Sequence, residues 1–395
     1  DANGYATLYT RNSRGLVEQR DEGLSKQAGQ WQPEEGARRV EQQWHPDLPL
    51  ITQATYSTYL NGQWQSYLKR AFHYSDTGRL LTRTATDLSQ QAVPYNTYGE
   101  QRTGTYTYHF AQDNLAQPSE VEINGPLPAE ADGSDDITRI AYNPEGLIQS
   151  ITNPLGHTTR ITTYNRHGQP TEAELPNGIQ VRLTYDQHHH LDTLIRQGGD
   201  LMETLDLDID RNGLLKKLTL PDGSWRQFDY NAARQLTGLT SHLGDHLSVA
   251  RSPVNGAWTE QVIYNEHDRV ERHYQRQLDS LGRVIAILGQ YGQRTDLRYT
   301  NGGQLLSQHQ KGNDQPSVHQ YDALGRLTQT LNALQGKTAI DYSVQGPAAG
   351  ITDAGGHQTQ YKYNAFGDMI MMQSPDTGVL LHYYDAAGNK IRTQG

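Results

Sequence analysis

The chain is 395 residues long, with a mean hydropathy of −0.79, 34% hydrophobic residues, and 24 tyrosines against 4 phenylalanines. Its net charge of −10 argues against a general nucleic-acid or anionic-membrane surface, and the absence of cysteine excludes disulfides, thiolate zinc sites and cysteine nucleophiles. No run of 18 apolar residues occurs, so no membrane-spanning helix is predicted, and the first residues lack Met and a signal-peptide pattern, as expected for a piece of a longer protein.

The first 141 residues are predicted to be a divergent β-rich region. Residues 55–74 are predicted to form a long hairpin folded at Asn61-Gly62, because this dipeptide favours a two-residue hairpin turn. Residues 110–116 are interpreted as a degenerate repeat unit and residues 124–136 as a loop. No helix longer than two turns is predicted anywhere in the chain.

A regular repeat, continuous with the first region, follows over residues 142–395. Its unit is Tyr, then Asp or Asn, two variable residues, Gly, a polar residue and Leu, Ile or Val, as in YDALGRL at 321–327. Six of the eleven spacings from 142 onward are 21 residues, which is too regular for chance. Ten of the 13 units hold Gly at the fifth position, whereas His189, Arg234 and Asp268 replace it in the others. The units begin at 74, 142, 164, 185, 209, 230, 264, 278, 299, 321, 342, 363 and 384.

A second turn signal stands between many units. Proline sets φ early in a turn, an Asx side chain bonds back to the backbone, and glycine supplies a positive φ. Two strands of six or seven residues and two four-residue turns fill a 21-residue period, so each repeat is predicted to be a β-hairpin. Residues 244–258 interrupt the period and are predicted to be a loop. The second signals are Pro154-Leu155-Gly156, Pro176-Asn177-Gly178, Pro221-Asp222-Gly223, Asp353-Ala354-Gly355 and Pro375-Asp376-Thr377-Gly378.

The repeat residues are predicted to have structural roles. Tyr ends one strand and packs on neighbouring hairpins, Asp or Asn begins the turn, and Gly takes the positive φ. A fixed place before a turn also makes the acidic residues caps rather than catalytic carboxylates. The structural anchors are Tyr142, Gly146, Tyr164, Gly168, Tyr299, Gly303, Tyr321, Asp322, Gly325, Tyr342, Gly346, Tyr363, Gly367, Tyr384, Asp385 and Gly388.

The hairpins are expected to stack into one continuous sheet, because a single hairpin cannot bury its own face. Apolar strand residues are too few to fill two faces, which favours a wide, curving, water-filled structure over a compact sandwich. The predicted fold is therefore all-β, with stacked hairpins forming a spiral, curved sheet that is part or all of a hollow shell.

This combination of motifs resembles the RHS-repeat, or YD-repeat, family, strongly over 142–395 and more weakly over 1–141. The resemblance implies a spiral β-sheet wound into a hollow cocoon. In bacterial insecticidal toxin complexes and polymorphic toxins such a cocoon encloses a C-terminal toxin domain until delivery, and animal teneurins use a related shell in adhesion.

Family cocoons commonly end in a D-P-x-G-L-like stretch that supports self-cleavage. Here Asn143-Pro144-Glu145-Gly146 and Asn153-Pro154-Leu155-Gly156 have Asn where Asp would be needed, and both lie within repeats. They are interpreted as turns, and we expect a shell segment without protease or payload.

Two clusters are candidate metal sites. His188, His189 and His190 occupy the turn of the unit at 185, and adjacent strand residues point to alternate faces, so a solvated turn is the preferred interpretation. Asp206, Asp208 and Asp210 alternate, which would put three carboxylates on one sheet face, and a simple polar face is preferred to a weak calcium site. No metal, cofactor or catalytic residue is predicted, and no nucleophile-elbow, phosphate-loop or H-E-x-x-H motif occurs.

Two functions stay open at this point. The first is a non-enzymatic shell segment that encapsulates and shields a toxin polypeptide, made in the bacterial cytoplasm and delivered extracellularly. Its partners would be a toxin domain or the remaining shell segments, with a secretion-apparatus or receptor protein as further candidates. The alternative is a cell-surface or glycan-binding module, which the Tyr and Trp content motivates and which would lose that motivation if all five tryptophans were buried.

Overall fold

The computed structural model describes residues 2–90, 94–111, 114–128, 136–252 and 257–395. Over these residues the chain forms 32 β-strands and no helix, which confirms the predicted all-β class. The same residues contain no helix that is long and apolar enough to cross a membrane.

The longest strands lie in the first region, with up to 15 residues in β3. The later strands have five to nine residues, close to the length expected from a 21-residue hairpin. The first eight strands are β1 (Ala6–Arg11), β2 (Val17–Gln27), β3 (Gln30–Trp44), β4 (Ile51–Leu60), β5 (Gln63–Tyr74), β6 (Leu80–Asp87), β7 (Gln101–Ala111) and β8 (Asn114–Asn124). They are followed by β9 (Ile137–Tyr142), β10 (Ile148–Thr152), β11 (Thr158–Tyr164), β12 (Pro170–Glu174), β13 (Gln180–Tyr185), β14 (Leu191–Gly198), β15 (Leu201–Ile209), β16 (Leu215–Thr219), β17 (Trp225–Tyr230), β18 (Leu236–Ser241), β19 (His246–Arg251) and β20 (Trp258–Tyr264). The last twelve are β21 (Val270–Leu278), β22 (Val284–Gly289), β23 (Arg294–Tyr299), β24 (Leu305–Gln310), β25 (Ser317–Tyr321), β26 (Leu327–Leu331), β27 (Lys337–Tyr342), β28 (Ala348–Thr352), β29 (Gln358–Tyr363), β30 (Met369–Ser374), β31 (Gly378–Tyr384) and β32 (Lys390–Gln394).

Each strand pairs antiparallel with the next one along the chain, so the sheet is one open meander. The turns therefore alternate between the two edges of a long ribbon. We call the edge that carries the turns after odd-numbered strands the YD rim, with turns such as 143–146 and 385–388. The other edge is the opposite rim, with turns such as 61–62 and 332–335.

The turn after Tyr321 shows how the repeat motif folds. The Gly325 N–H donates to the Asp322 carbonyl, and the Asp322 N–H donates to the Arg326 carbonyl, both at 2.9 Å. Asp322 Oδ1 also accepts the N–H groups of Leu324 and Arg326, each at 2.9 Å. Gly325 has φ of 78°. This is the pattern of a type I turn closed by a glycine bulge, which an Asx cap three residues before the left-handed position stabilises.

The same left-handed backbone occurs in all 13 units, with or without glycine. The ten unit glycines have φ between 76° and 110°. His189, Arg234 and Asp268 adopt φ of 66°, 62° and 57° at the positions where glycine is missing. A side chain there costs roughly 1 kcal/mol or more, and the hydrogen bonds of the turn outweigh that cost.

The predicted long hairpin at 55–74 is confirmed. β4 and β5 pair up to Leu60 opposite Gln63, and the turn residues Asn61 and Gly62 have φ of 53° and 78°. The longer strands of the first region thus come from the same hairpin design as the later repeats.

The predicted loop at 244–258 is wrong for much of its length. β19 lies within it and pairs with both β18 and β20, because the apolar residues at 247 and 249 alternate with polar ones and pack against the sheet. The added strand also explains the irregular spacing, since it places the turn after Tyr264 on the opposite rim, out of phase with the other units. Residues 253–256 lie outside the described residues.

The turn predicted at Asp353-Ala354-Gly355 is shifted by one residue. Asp353 Oδ1 caps it by accepting the N–H groups of Gly355 and His357, both at 2.8 Å. The positive φ, 84°, belongs to Gly356. The cap, rather than the nearest glycine, therefore sets the register of the turn.

Two predictions in the first region fall partly outside the described residues. The interpreted repeat unit at 110–116 spans the end of β7 and the start of β8, and residues 112–113 are not described. Within the predicted loop at 124–136, residues 125–128 contain no strand, and residues 129–135 are not described.

The ribbon winds back onto itself. The YD rim of the last hairpins rests on the opposite rim of the first ones, along a contact that we call the seam. The Gly302 N–H donates to Asn3 Oδ1 at 2.8 Å, and Thr58 Oγ1 donates to the Val344 carbonyl at 2.6 Å. The hydrogen-bonded partners across the seam are 266 to 301 residues apart in sequence.

One full coil therefore contains about 23 strands, β1 to β23, between Asn3 and Gly302. At about 4.8 Å per strand the coil is about 110 Å around, so a round coil would be about 35 Å in diameter. A single sheet with its side chains is about 10 Å thick, which is too thin to fill that diameter.

The buried residues are few and concentrate near the seam. Leu24, Ala37 and Ala54 on the first hairpins, with Ala365 and Ile370 on the last, are at most 4% exposed. The accessible surface of the whole chain is 23777 Å², about one and a half times the roughly 15,500 Å² expected for a compact protein of this mass. The molecule is a thin coiled sheet with both faces accessible, which confirms the predicted spiral of stacked hairpins.

Candidate functional site

The tyrosines at the ends of the YD-rim strands form a ladder of hydrogen bonds between successive hairpins. In each case the hydroxyl donates to the backbone carbonyl of the first residue of the strand immediately before it in the chain, over 2.5 to 3.0 Å. Neighbouring hairpins diverge at this point, and the phenol satisfies a carbonyl that the strand ladder leaves open. The donors and acceptors are Tyr74 to Ile51, Tyr108 to Leu80, Tyr164 to Ile148, Tyr185 to Pro170, Tyr230 to Leu215, Tyr299 to Val284, Tyr321 to Leu305, Tyr342 to Leu327 and Tyr384 to Met369.

Two other residues take the same place where tyrosine is missing. Trp44, at the end of β3, donates its indole N–H to the Val17 carbonyl at 2.8 Å. Arg251, at the end of the unpredicted strand β19, donates from its guanidinium to the Leu236 carbonyl at 2.5 Å. Sequence reasoning missed both, although Arg251 stands 21 residues after Tyr230 and the period alone pointed to it.

The remaining predicted anchors lie at comparable positions. Tyr142 and Tyr363 are the last residues of β9 and β29 and are half-buried. Asp385 caps its turn by accepting the N–H groups of Ala387 and Asn389, both at 2.9 Å. The structure thus spreads the anchors along one rim and does not bring them together into a pocket.

The most buried polar cluster centres on Asp87, whose side chain is fully buried at the seam. Its Oδ1 accepts the N–H of Ser89 at 2.7 Å. Its Oδ2 accepts Thr97 Oγ1 at 2.8 Å and the N–H of Ala365 at 2.9 Å. Burial and the Asp87 carboxylate raise the pKa of neighbouring Glu100. One carboxylate therefore ties the connection between β6 and β7 to a turn of the last hairpins.

Ring and charge contacts extend the seam beside Asp87. Arg102 forms an ion pair with Asp368, and its guanidinium lies 4.2 Å from the centre of the Phe366 ring. Tyr95 stacks on Tyr383 with ring centres 5.0 Å apart, and burial, with a smaller contribution from Glu100, raises the pKa of Tyr95 to about 12. These contacts hold the two ends of one coil together.

The histidine cluster is part of a turn. His189 occupies the left-handed position, and its ring centre is 3.9 Å from that of His167 in the preceding unit. His190 Nδ1 lies 3.2 Å from Asp186 Oδ2. The rings thus contact neighbouring turn residues.

The prediction that Asp206, Asp208 and Asp210 share one sheet face is wrong. Asp206 and Asp208 are exposed on β15, where Asp208 lies opposite Lys217. Asp210 instead caps the next turn, with Oδ1 accepting the N–H groups of two later residues. The strand ends at Ile209, so the alternation does not reach the third carboxylate.

Among the described residues, His109, Glu120 and Glu122 bring three ligand atoms within 4.8 Å of one another. Arg139 Nε lies 2.8 Å from Glu122 Oε1, and this hydrogen bond lowers the pKa of Glu122. Because a guanidinium already neutralises that carboxylate and repels a cation, we assign no metal site to the group.

A cleft of about 920 Å³ opens at the seam. One wall is β5 from Gln63 to Tyr67, with residues 88–90 and Tyr98. The other wall comes from residues 343–345 and 360–363 of the last hairpins. None of the five tryptophans is buried, and one of them, Trp64, lines this cleft.

Comparisons with known proteins agree with the repeat and the fold. No protein-family model matches the chain. It is 23% identical over 246 residues, 61% of its length, to "Toxin protein Tse5" of Pseudomonas aeruginosa, and the match spans 16% of that protein. The crystal structures of TcdB2-TccC3-TEV and TcdB2-TccC3-Cdc42 match with TM-scores of 0.61 and 0.54 at 12% identity, over 98% of this chain and 23% of theirs.

The chain thus spans less than a quarter of the length of each of these proteins. At 12% identity the structural likeness shows the fold, and the sequence match to Tse5 agrees with it. Taken with the 13 turn units and the single coiled ribbon that they build, these matches show that the chain shares the fold of the TcdB2-TccC3 structures and support its resemblance to the RHS-repeat, or YD-repeat, family.

Proposed function

We propose that the chain is a wall segment of a bacterial toxin shell, which encloses a toxin polypeptide and shields it until delivery outside the cell. The observation that carries the proposal is the coil, in which one open sheet returns to contact itself after about 23 strands. A wall of this kind separates an inner space from the surroundings without needing a dry core.

The surface of the wall suits an unfolded cargo polypeptide that must not bind tightly to the shell. Polar residues such as Gln, Thr, Asp and Arg occupy exposed positions along its strands. In β13, for example, residues 180, 182 and 184 are exposed and alternate with less exposed ones. Such a polar surface offers little apolar area to an unfolded chain, so the cargo stays releasable. The similarity to Tse5, a toxin, supports this assignment.

The role proposed for the chain is structural rather than enzymatic. Its buried carboxylate, Asp87, is saturated with hydrogen bonds, and the anchors are turn caps and strand ends. The partners proposed are a toxin domain and the remaining segments of the shell, with a secretion-apparatus or receptor protein as further candidates. We further propose that residues 1–141 and 142–395 act as one continuous wall with a divergent and a regular part.

Small-angle X-ray scattering tests the shape on which the proposal rests. A compact protein of 395 residues would have a radius of gyration of about 21 Å. We expect a clearly larger value and a distance distribution typical of a curved sheet around solvent. A radius at the compact limit would contradict the shell.

Protection of a cargo tests the function itself. A protease-sensitive unfolded polypeptide is fused after Gly395, and its digestion by proteinase K is timed. We expect slower digestion than for the same fusion carrying Asp87→Ala with Arg102→Ala, which opens the seam. Equal digestion rates in the two fusions, with both shown to be folded by circular dichroism, would overturn the proposal.

A further inference from the structure

The cleft at the seam is a feature that neither the repeat nor the shell requires. Its described lining holds the aromatic rings of Trp64, Tyr67, Tyr98 and Tyr361 together with the side-chain amides of several glutamines. From this lining we propose that the cleft binds an oligosaccharide.

The lining has the two kinds of group that a sugar ring needs. A flat aromatic ring packs on the apolar C–H face of a pyranose, and a glutamine amide donates and accepts hydrogen bonds with adjacent hydroxyls. The glutamines are Gln63, Gln65, Gln90, Gln345 and Gln360. A cleft of about 920 Å³ is large enough for several sugar units.

Several of these groups lack a partner within the described protein. No hydrogen bond joins the amides of Gln63 and Gln90, or the hydroxyl of Tyr67, to another described residue. Tyr67 is half-buried, and this burial raises the pKa of its hydroxyl. In contrast, nine YD-rim tyrosine hydroxyls each donate to a carbonyl. A half-buried phenol usually finds a partner, and here the open side is the cleft.

The site is assembled from both ends of one coil and held in place by the seam. Thr58 binds the Val344 carbonyl next to one wall, and Asp87 binds the Ala365 N–H beyond the other. Trp64 is also fixed, because Arg39 lies 4.2 Å from its ring centre and Tyr59 packs on its edge at 5.3 Å. Groups fixed in this way lose little freedom when a ligand binds.

The charges of the site favour binding without hydrolysis. Among the described lining residues Lys362 is charged and no carboxylate is present. A glycoside hydrolase ordinarily needs a pair of carboxyl groups beside the scissile bond, so the cleft would hold a sugar chain intact. Lys362 also provides a place for an acidic sugar.

Calorimetric titration of the 395-residue chain tests the site with three probes: maltohexaose, tri-N-acetylchitotriose and trigalacturonic acid. We expect at least one to bind, and the affinity to fall about tenfold in Tyr98→Ala, which removes an exposed ring at the mouth. A comparable fall is expected in Gln90→Ala. The control is Tyr291→Ala, which removes a tyrosine that is 81% exposed and outside the cleft, and it should leave the affinity unchanged.

Three outcomes would overturn the proposal. One is no binding of any of the three probes to the folded chain. Another is binding that survives unchanged in the Tyr98→Ala/Gln90→Ala double variant. The third is binding of reduced, carboxymethylated α-lactalbumin, lost in the same variants while the sugars do not bind, which would assign the cleft to unfolded polypeptide. The site does not depend on the shell proposal, whose scattering and protection tests these variants leave untouched.

Discussion

At the level of single residues, tyrosine connects successive hairpins of the repeat. Its hydroxyl explains why phenylalanine does not replace it. The ring covers the sheet face, while the hydroxyl reaches the first carbonyl of a strand in the previous hairpin, as Tyr321 does at 2.7 Å. The sequence predicted that tyrosine packs at the strand end. It did not show the hydrogen bond, because the acceptor is a backbone atom of a neighbouring hairpin and no sequence pattern marks it.

Removing one hydroxyl tests this ladder. Tyr321→Phe keeps the ring and leaves the Leu305 carbonyl without its donor, so we expect local stability to fall by about 1 kcal/mol. Native-state hydrogen exchange of amides in β24 and β25 measures the change. Tyr291→Phe, on an exposed ring, is the control and should have no effect. An unchanged exchange rate in the first variant would show that the hydroxyl contributes nothing.

Backbone conformation at the fifth motif position gives a second test. Gly325→Val forces a β-branched residue into φ of 78°, and we expect a loss of about 1 kcal/mol or more. Arg234→Gly relieves the same strain at φ of 62° and should leave the stability unchanged or raise it. Thermal unfolding followed by circular dichroism compares the two. A normal melting temperature for the valine variant would contradict the turn assignment.

At the scale of elements, local signals determine the hairpins and long-range contacts determine the connections. Asn61-Gly62 specifies its own turn because both residues tolerate positive φ. β19 was missed because the strand it adds interrupts the 21-residue period, although its apolar and polar residues alternate as a strand's should. Residues 88–90 and 94–100, between β6 and β7, have no hairpin signal, and Asp87 connects Thr97 among them to a turn far away in sequence.

Asp87→Ala should open this connection. The substitution leaves the N–H groups of Ser89 and Ala365 and the hydroxyl of Thr97 without an acceptor in a buried place, so we expect a loss of about 3 kcal/mol. Hydrogen exchange should accelerate at residues 94–100 and 364–368 and stay unchanged in β13 to β16. Asp208→Ala, on an exposed strand residue, should change stability by less than about 0.5 kcal/mol. Uniform acceleration over the whole chain would argue against a local role.

At the scale of the whole molecule, the seam turns a ribbon into a coil. Its residues include small or apolar turn tips such as Ala365 and Phe366, whereas several YD-rim turns away from it have polar tips such as Arg166 and His167. This difference was present in the sequence, but it has meaning only once the winding is known.

Acid should weaken the seam through His382. This residue is 5% exposed, and burial, with a smaller contribution from Lys390, lowers its pKa below the usual 6.5. A depressed pKa means that the unfolded chain binds the proton more tightly than the folded chain. The contribution of the neutral His382 ring to stability is therefore complete above pH 6.5, and it is lost as the pH falls from 6.5 toward the pKa of His382 in the folded protein. Glu100, whose pKa is raised, has the opposite pH dependence, because its contribution to stability is lost as the pH rises.

The pH prediction is checked by comparing variants. Melting temperatures of the wild type and of His382→Gln are measured between pH 7.5 and pH 5. We expect the wild type to lose more stability over this range than the variant, since only the wild type can protonate this ring. Parallel curves would show that His382 does not titrate in the folded seam.

The sequence by itself determined the repeat, the hairpins, the turn residues and the all-β class, since each depends on contacts within about 21 residues. Steric limits on φ and the reach of an Asx side chain act at that distance. The tertiary structure alone decided the winding, the buried Asp87 and the cleft, because these join residues nearly 300 positions apart. Their position depends on the small twist between neighbouring strands summed over about 23 of them, and no single stretch of residues encodes that sum.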